Sequence, residues 1–225
     1  SEMCIRDRSN TLRGGDSVAE INGVVNYSFG NYKIQPIDGK GYDFTGEERP
    51  TAENLHAKIG DAEVTVASAN VLNFFTTFGN SKFETPYGNE QSGRGADNLE
   101  EYNHQLDKLV SMIQGLDADV VGLMEIQNNG YGEDSAIKAL VDAINARLGA
   151  DTYDYIKGPF NNGSESTAGN DAIMVGMIYK PANVTPVGSA VVPDTDEYPA
   201  FANGNRVPLA QAFESNKDGE QFSVV

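Results

Sequence analysis

The sequence predicts a mixed α/β domain over residues 61–225, preceded by a small β unit. From residue 61 onward, strand-like and helix-like patterns alternate, and after residue 172 the pattern is β alone. Hydrophobic residues make up 39% of the chain and charged residues 22%, as in ordinary globular proteins. With 225 residues, the chain is long enough for one large domain or a medium domain with a small partner.

The extreme N-terminus is interpreted as an artefact. Residues 1–8 contain the run Met3–Arg8, which looks like the translation of a transposon adapter used to prepare sequencing libraries. The alternative is a natural polar N-terminus. The single cysteine, Cys4, falls in this run. The natural segment would then lack cysteine, which permits secretion without disulfides but does not demand it.

Residues 9–36 are predicted to be the end of a β module that begins upstream. Ala19–Tyr27 and Asn31–Pro36 are strand-like, with a turn around Gly30 between them. So short a segment cannot bury a core of its own. Residues 37–60 are rich in Gly, Asp, Glu and Pro and are predicted to be a linker.

The elements of the main domain follow from hydrophobic periodicity. Two helices are predicted over Leu99–Leu116 and Ser135–Leu148, because apolar residues recur there at three- and four-residue steps. Asp97 with Glu100 fits a capping arrangement for the first helix, and Gly149 ends the second. Strands are predicted over Glu63–Asn73, Asp119–Met124, Ala172–Tyr179, Val184–Val192, Pro208–Phe213 and Gln221–Val225, with a long loop over 79–98. We expect the sheet to need further elements after Val225, so the chain is interpreted as truncated there as well.

Charge excludes one class of function. The net charge is −17 at pH 7, so the chain has no broad basic face of the kind that repressor-type nucleic-acid binders use. Polyanions would be repelled except where metal ions or a local cationic patch invert the field. A metal-dependent enzyme is compatible with this charge. No apolar run approaches the roughly 20 residues of a membrane span, and no protein partner is implied.

Two polar residues stand out where strands are predicted to end. Asn70 is embedded in the apolar run Ala67–Leu72, and Glu125 follows the apolar run Asp119–Met124. Strand ends are where sites assemble in α/β sheets, and carboxylate and amide oxygens suit Mg²⁺ or Ca²⁺. From spacing alone, a structural salt bridge for Glu125 is an equal alternative, and a turn-capping role for Asn70 is favoured.

The residues also resemble a family, the endonuclease/exonuclease/phosphatase superfamily. Within it they look most like the secreted bacterial nucleases related to deoxyribonuclease I. The strings that carry the resemblance span residues 62–225 and are Val64–Phe75, Arg94–Asn98, Asp117–Tyr131, Asp171–Pro181 and Arg206–Phe213. This resemblance implies a four-layer sandwich of two mixed β-sheets flanked by helices, of which residues 61–225 would be the N-terminal part. Leu12–Asp16 and Asn26–Pro36 resemble the end of the OB-fold module that precedes the nuclease domain in such proteins.

The resemblance implies site residues as well. Asn70 and Glu125 would hold a divalent cation (Mg²⁺, or Mn²⁺ or Ca²⁺) near the scissile phosphate, and Arg206 would contact the phosphate. Asp171 stands where relatives carry an active-site polar residue, often tyrosine, and this departure leaves its role open. For Arg206 the alternative is a surface arginine that offsets acidic neighbours. Gln105 recurs in these nucleases without an assigned physical role.

The implied function is hydrolysis of phosphodiester bonds in DNA, or RNA, by a secreted enzyme. The family's general-base histidine and its further aspartates would lie after Val225, so the 225 residues alone are expected to be inactive and poorly folded. His56, in the linker, and His104, on the helix side away from Tyr102, do not fit a general base. The alternatives are a phosphodiesterase of the same superfamily acting on phospholipid or sugar phosphate, and a non-catalytic acidic calcium-binding or adhesive module.

Overall fold

A computed structural model describes most of the chain. The described residues are 15–37, 44–46, 51–158, 160–161, 164–165, 169–193, 197–201 and 206–225. The adapter-like run and Cys4 therefore lie outside the described residues. The chain divides into two compact units, residues 1–54 and 55–225.

Among its described residues, the first unit contains one β-hairpin. Strand β1 (Gly23–Ser28) pairs antiparallel with β2 (Asn31–Pro36), and the turn between them lies where the sequence predicts it. The rings of Tyr27 and Tyr32 face each other across the strands at 4.9 Å. One hairpin does not define an OB-fold, so that assignment stays a prediction. Helix α1 (Ala52–Ile59), within the predicted linker, was not predicted by composition.

The second unit alternates strands and helices and ends in β structure, as predicted. Its long helices are α2 (Leu99–Leu116) and α3 (Ala136–Leu148), and α1 crosses the boundary between the two units. Its strands are β3 (Val66–Phe74), β4 (Lys82–Glu84), β5 (Glu90–Ser92), β6 (Val120–Gln127), β7 (Asp154–Tyr155), β8 (Phe160–Asn161), β9 (Ser164–Glu165), β10 (Ile173–Tyr179), β11 (Val184–Val191), β12 (Ala210–Ser215) and β13 (Gln221–Val224). One turn of 3-10 helix covers Pro199–Phe201.

The second unit is built around a four-stranded mixed sheet with the order β3-β6-β10-β7. Strands β3 and β6 run parallel, and β10 pairs antiparallel with both β6 and β7. Strands β11, β12 and β13 form a separate antiparallel sheet. Two short hairpins, β4–β5 and β8–β9, complete the strand pairing among the described residues of this unit.

The two sheets and the helices form layers. Helices α2 and α3 cover one face of the four-stranded sheet, where a fully buried cluster includes Ile113, Leu140, Ile144, Leu123 and Ile178. The three-stranded sheet covers part of the opposite face through a second cluster that includes Val120, Met177, Val184 and Phe213. The predicted fold class, a mixed α/β domain with two sheets and flanking helices, is confirmed.

The helix boundaries are close to the predicted ones, but the first cap is shifted. Asn98, not Asp97, is the N-cap of α2, and its side chain accepts a hydrogen bond from the Glu101 amide at 3.1 Å. Glu101 in turn accepts from the Asp97 amide at 2.9 Å, so the prediction of Asp97 with Glu100 was wrong by one residue. Ser135 is the N-cap of α3. Gly149 follows the last residue of α3, as predicted.

Several strand boundaries differ from the predicted ones; β12, for example, covers Ala210–Ser215 rather than Pro208–Phe213. Strand β3 begins at Val66 rather than Glu63, and β6 continues past Met124 to Gln127. The predicted loop over 79–98 contains the β4–β5 hairpin. Within the described ranges, no helix has the length and apolar character needed to cross a membrane.

Candidate functional site

The pairing of strands in the four-stranded sheet is irregular around Glu125. In the parallel pairing of β3 with β6, Asn70 is opposite Met124 and Phe74 is opposite Ile126, so three residues of β3 face one residue of β6. On the other side of β6, the register with β10 also shifts between Met174 and Gly176. Such bulges re-aim side chains and are common next to active sites.

The bulges bring Asn70 and Glu125 toward the same face of the sheet. Ala69 and Val71 belong to the cluster under the helices, so Asn70 between them points to the opposite face. Leu123 and Ile126 both belong to the cluster under the helices, although they are three residues apart. Met124 and Glu125 are therefore displaced together toward the face that carries Asn70.

Glu125 lies inside β6 at the bulge, so the expectation that it ends the strand was wrong. Its φ of 65° is left-handed, a conformation that costs a non-glycine residue about 1–3 kcal/mol and persists only when the surroundings impose it. Its side chain is half-buried. Among the described residues, the carboxylate has no hydrogen bond and no ion pair, so the salt-bridge alternative finds no partner there.

Asn70 makes a turn-capping contact, the role that its position in the sequence favours. Its side-chain oxygen accepts a hydrogen bond from the Leu72 amide at 2.8 Å, and the residue is exposed. An amide oxygen has two lone pairs, so one remains for a second partner. Leu72 and Asn73, with φ of 54° and 53°, complete a left-handed segment opposite Glu125.

Asp171 lies between two arginines. The Arg94 guanidinium is 3.1 Å from its Oδ1, and the Arg206 guanidinium is 3.3 Å from its Oδ2. The same Oδ1 also accepts a hydrogen bond from the Ala172 amide at 2.7 Å. All three charged side chains are partly exposed, at 37–47%. Two cations and one anion leave a net charge of about +1, a local cationic patch on a strongly acidic chain.

Arg94 was not singled out as a site residue from the sequence. It lies in a loop whose glycines approach the β3 bulge: a Cβ added at Gly95 would be 2.6 Å from the Asn73 carbonyl oxygen. Glycine is therefore required there for this loop to pack against the bulge.

The amide side chains that follow Glu125 were also missed. Gln127 is fully buried and accepts hydrogen bonds from the Thr76 and Thr77 amides at 2.8 and 3.3 Å. Asn128 donates to the carbonyls of Gly169 and Asp171 at 2.9 and 3.0 Å. These side chains join β6 to the loops that carry the other candidate residues, and no sequence pattern marks them.

The side-chain oxygens of Glu125 and Asn70 suit a divalent cation of the Mg²⁺ type, which takes few protein ligands. Across the part of the chain that the structure describes, no three His, Cys, Asp or Glu side chains are grouped so that they could hold a metal. Mg²⁺, however, is usually bound by one or two carboxylates, with waters and substrate phosphates completing its shell. The Glu125 carboxylate and the second lone pair of the Asn70 amide suit that mode. Both histidines are exposed and lie on helices.

The site thus belongs to a mixed α/β protein with two facing sheets. No protein-family model matches the chain, and no curated protein matches it. Several solved structures, however, are similar to the chain. An endonuclease/exonuclease/phosphatase family protein from Bacteroides thetaiotaomicron matches with a TM-score of 0.40 and 15% identity, over 71% of this chain and 48% of that one.

Two further structures are similar at the same level. A mannosyl-6-phosphatase of Bacteroides thetaiotaomicron gives a TM-score of 0.40 at 15% identity, over 71% of this chain and 49% of that one. The human Nocturnin catalytic domain gives a TM-score of 0.32 at 16% identity, over 53% of this chain and 40% of that one. The chain thus spans less than half the length of each of the three structures. Likenesses this distant assign neither a family nor an activity to the chain.

Proposed function

We propose that the chain is part of a divalent-cation-dependent phosphodiesterase of the endonuclease/exonuclease/phosphatase superfamily, secreted from the cell and acting on DNA or RNA. One observation carries this proposal: Glu125 is a half-buried carboxylate without a partner among the described residues, on a left-handed bulge beside Asn70. A half-buried carboxylate that pairs with no cationic side chain suits a metal ion. The sequence resemblance supports the same role.

In this proposal Glu125 and Asn70 would hold the cation, which when bound would supply neutralisation of charge that builds on the phosphate oxygens. Because the bulges fix the backbone at both residues, their oxygens need little rearrangement to bind it.

The arginines would bind the substrate phosphate. Guanidinium groups form charge-assisted, often bidentate hydrogen bonds to phosphate, and Arg94 and Arg206 already hold a carboxylate between them. Asp171 keeps the two guanidinium groups close together while leaving a positive charge in excess. Arg94 would therefore share the phosphate role with Arg206.

Cation binding tests the proposal on the 225-residue chain, after circular dichroism has shown that the chain is folded. We expect Mn²⁺, followed by electron paramagnetic resonance, to bind one site. Glu125→Gln should weaken this binding at least tenfold, because the carboxylate ligand loses its charge. Asn70→Ala should weaken it less. Glu100→Gln, on the exposed first turn of α2, is the matched control and should leave the affinity unchanged. Equal affinities for Glu125→Gln and the wild type would rule out this site.

Substrate class needs a separate measurement on the whole protein. Hydrolysis of plasmid DNA, RNA and sphingomyelin should be compared in the presence of Mg²⁺. Turnover of nucleic acid that is lost in Glu125→Gln is the expected result. Turnover of sphingomyelin alone would show that the enzyme acts on phospholipid, and no turnover of any phosphoester would contradict the proposal.

A further inference from the structure

The β3 bulge interrupts the regular pairing of β3 with β6. The parallel register with β6 is interrupted between Asn70 and Phe74, so the segment from Val71 to Asn73 falls outside the ladder. Leu72 has a left-handed backbone although its side chain is bulky and 65% exposed. Burial of that side chain therefore does not hold this conformation. Such a conformation persists only where contacts from outside the strand impose it.

One side chain from α2 supplies those contacts. The Gln105 side-chain NH₂ donates to the Val71 carbonyl at 3.0 Å and to the Leu72 carbonyl at 2.9 Å. A primary amide has two N–H groups, and here each serves one carbonyl of the bulge.

Helix α2 is itself fixed close to this point. One turn before Gln105, the Tyr102 ring stacks on Phe74 at 5.4 Å and contacts Phe78 at 5.5 Å. One turn after it, Leu109 is buried in the core under the sheet. The amide of Gln105 is therefore presented from a well-anchored part of the helix.

We propose that Gln105 is a positioning residue: by holding the Val71 and Leu72 carbonyls, it keeps the bulge in the conformation that puts Asn70 beside Glu125. This inference rests on the proposed cation site. The link to Asn70 is direct, because both contacts involve Leu72. The Leu72 amide donates to the Asn70 side-chain oxygen, and the Leu72 carbonyl accepts from Gln105. Loss of Gln105 would free Leu72 and with it the orientation of the Asn70 side chain.

Two readouts test this inference. Gln105→Met keeps the length of the side chain and removes both donors, and Gln105→Glu keeps its shape but cannot donate as a carboxylate. We expect hydrogen exchange of the Leu72 amide to quicken about tenfold in both variants, and Mn²⁺ affinity to fall about tenfold. Gln114→Met, an exposed glutamine on the same helix, controls for loss of an amide.

A second control separates positioning from a general loss of stability. Leu116→Ala removes a side chain packed against the core at the far end of α2, so it should lower global stability while leaving exchange at Leu72 and Mn²⁺ affinity near wild type. If exchange at Leu72 in both Gln105 variants stays within twofold of wild type, Gln105 does not hold the bulge. Faster exchange with unchanged Mn²⁺ affinity would overturn the link to the cation. Absence of Mn²⁺ binding in the wild type would instead overturn the proposed function, and with it the role of Gln105 there.

Discussion

The buried amide of Gln127 is the strongest test of how the site strand is held. Gln127→Met keeps the unbranched shape and removes four hydrogen bonds: those accepted from the Thr76 amide, the Thr76 hydroxyl and the Thr77 amide, and the one donated to the Thr77 hydroxyl at 2.7 Å. At about 1 kcal/mol each, these total about 4 kcal/mol. The apolar replacement in a fully buried position returns about 1 kcal/mol. We therefore expect a loss of about 3 kcal/mol.

Urea unfolding and thermal melts measure this loss. For a unit of this size, about 3 kcal/mol corresponds to a decrease in Tm of about 6–12 °C. Gln114→Met is the exposed control and should change stability by less than about 0.5 kcal/mol. In a double-mutant cycle, Gln127→Met and Thr77→Val should show a coupling of about 1 kcal/mol. A loss below about 1 kcal/mol for Gln127→Met, or no coupling, would refute the hydrogen-bond argument.

Three further changes have defined outcomes. Asn98→Ala removes the N-cap of α2 and should cost about 1 kcal/mol in urea unfolding; a cost near zero would contradict the capping role. Gly95→Ala places a methyl group 2.6 Å from the Asn73 carbonyl oxygen, so it should cost about 1–3 kcal/mol and weaken Mn²⁺ binding; unchanged stability and affinity would contradict this. Burial, and then the nearby Asp154 carboxylate, raise the pKa of Tyr179 from 10.0 to about 12. Because that pKa is higher in the folded state, the stability that it contributes is complete below pH 10 and is lost as the pH rises to about 12. Tyr179→Phe should make the free energy of unfolding, measured with urea at alkaline pH, fall less steeply with pH. An unaltered slope would refute this assignment.

Helices and core strands were predictable from sequence because their signals are local. The three- and four-residue spacing over Leu99–Leu116 gave α2 with both ends correct. The apolar run before Lys180 gave β10 within one residue of its start. The β4–β5 hairpin was not predictable, since strands of three residues are too short for a hydrophobic alternation to be distinguished.

For the candidate site, the sequence by itself determined the candidate side chains: Asn70, Glu125, Asp171 and Arg206 all stand beside apolar runs or within family-like strings. The tertiary structure decided how they are arranged. A bulge depends on the register between strands that are some 50 residues apart, so no local pattern reveals that Glu125 lies inside β6 rather than at its end.

The same reason explains why Arg94 and Gln105 were not assigned roles. Arg94 meets Asp171 from a loop 77 residues earlier in the chain, and Gln105 reaches the β3 bulge from a helix 33 or 34 residues later. Periodicity reports which face of an element is buried, and this was enough to determine the layers. Only packing decides which polar side chains meet at the edge of those layers, because each contact joins residues whose sequence signals are independent.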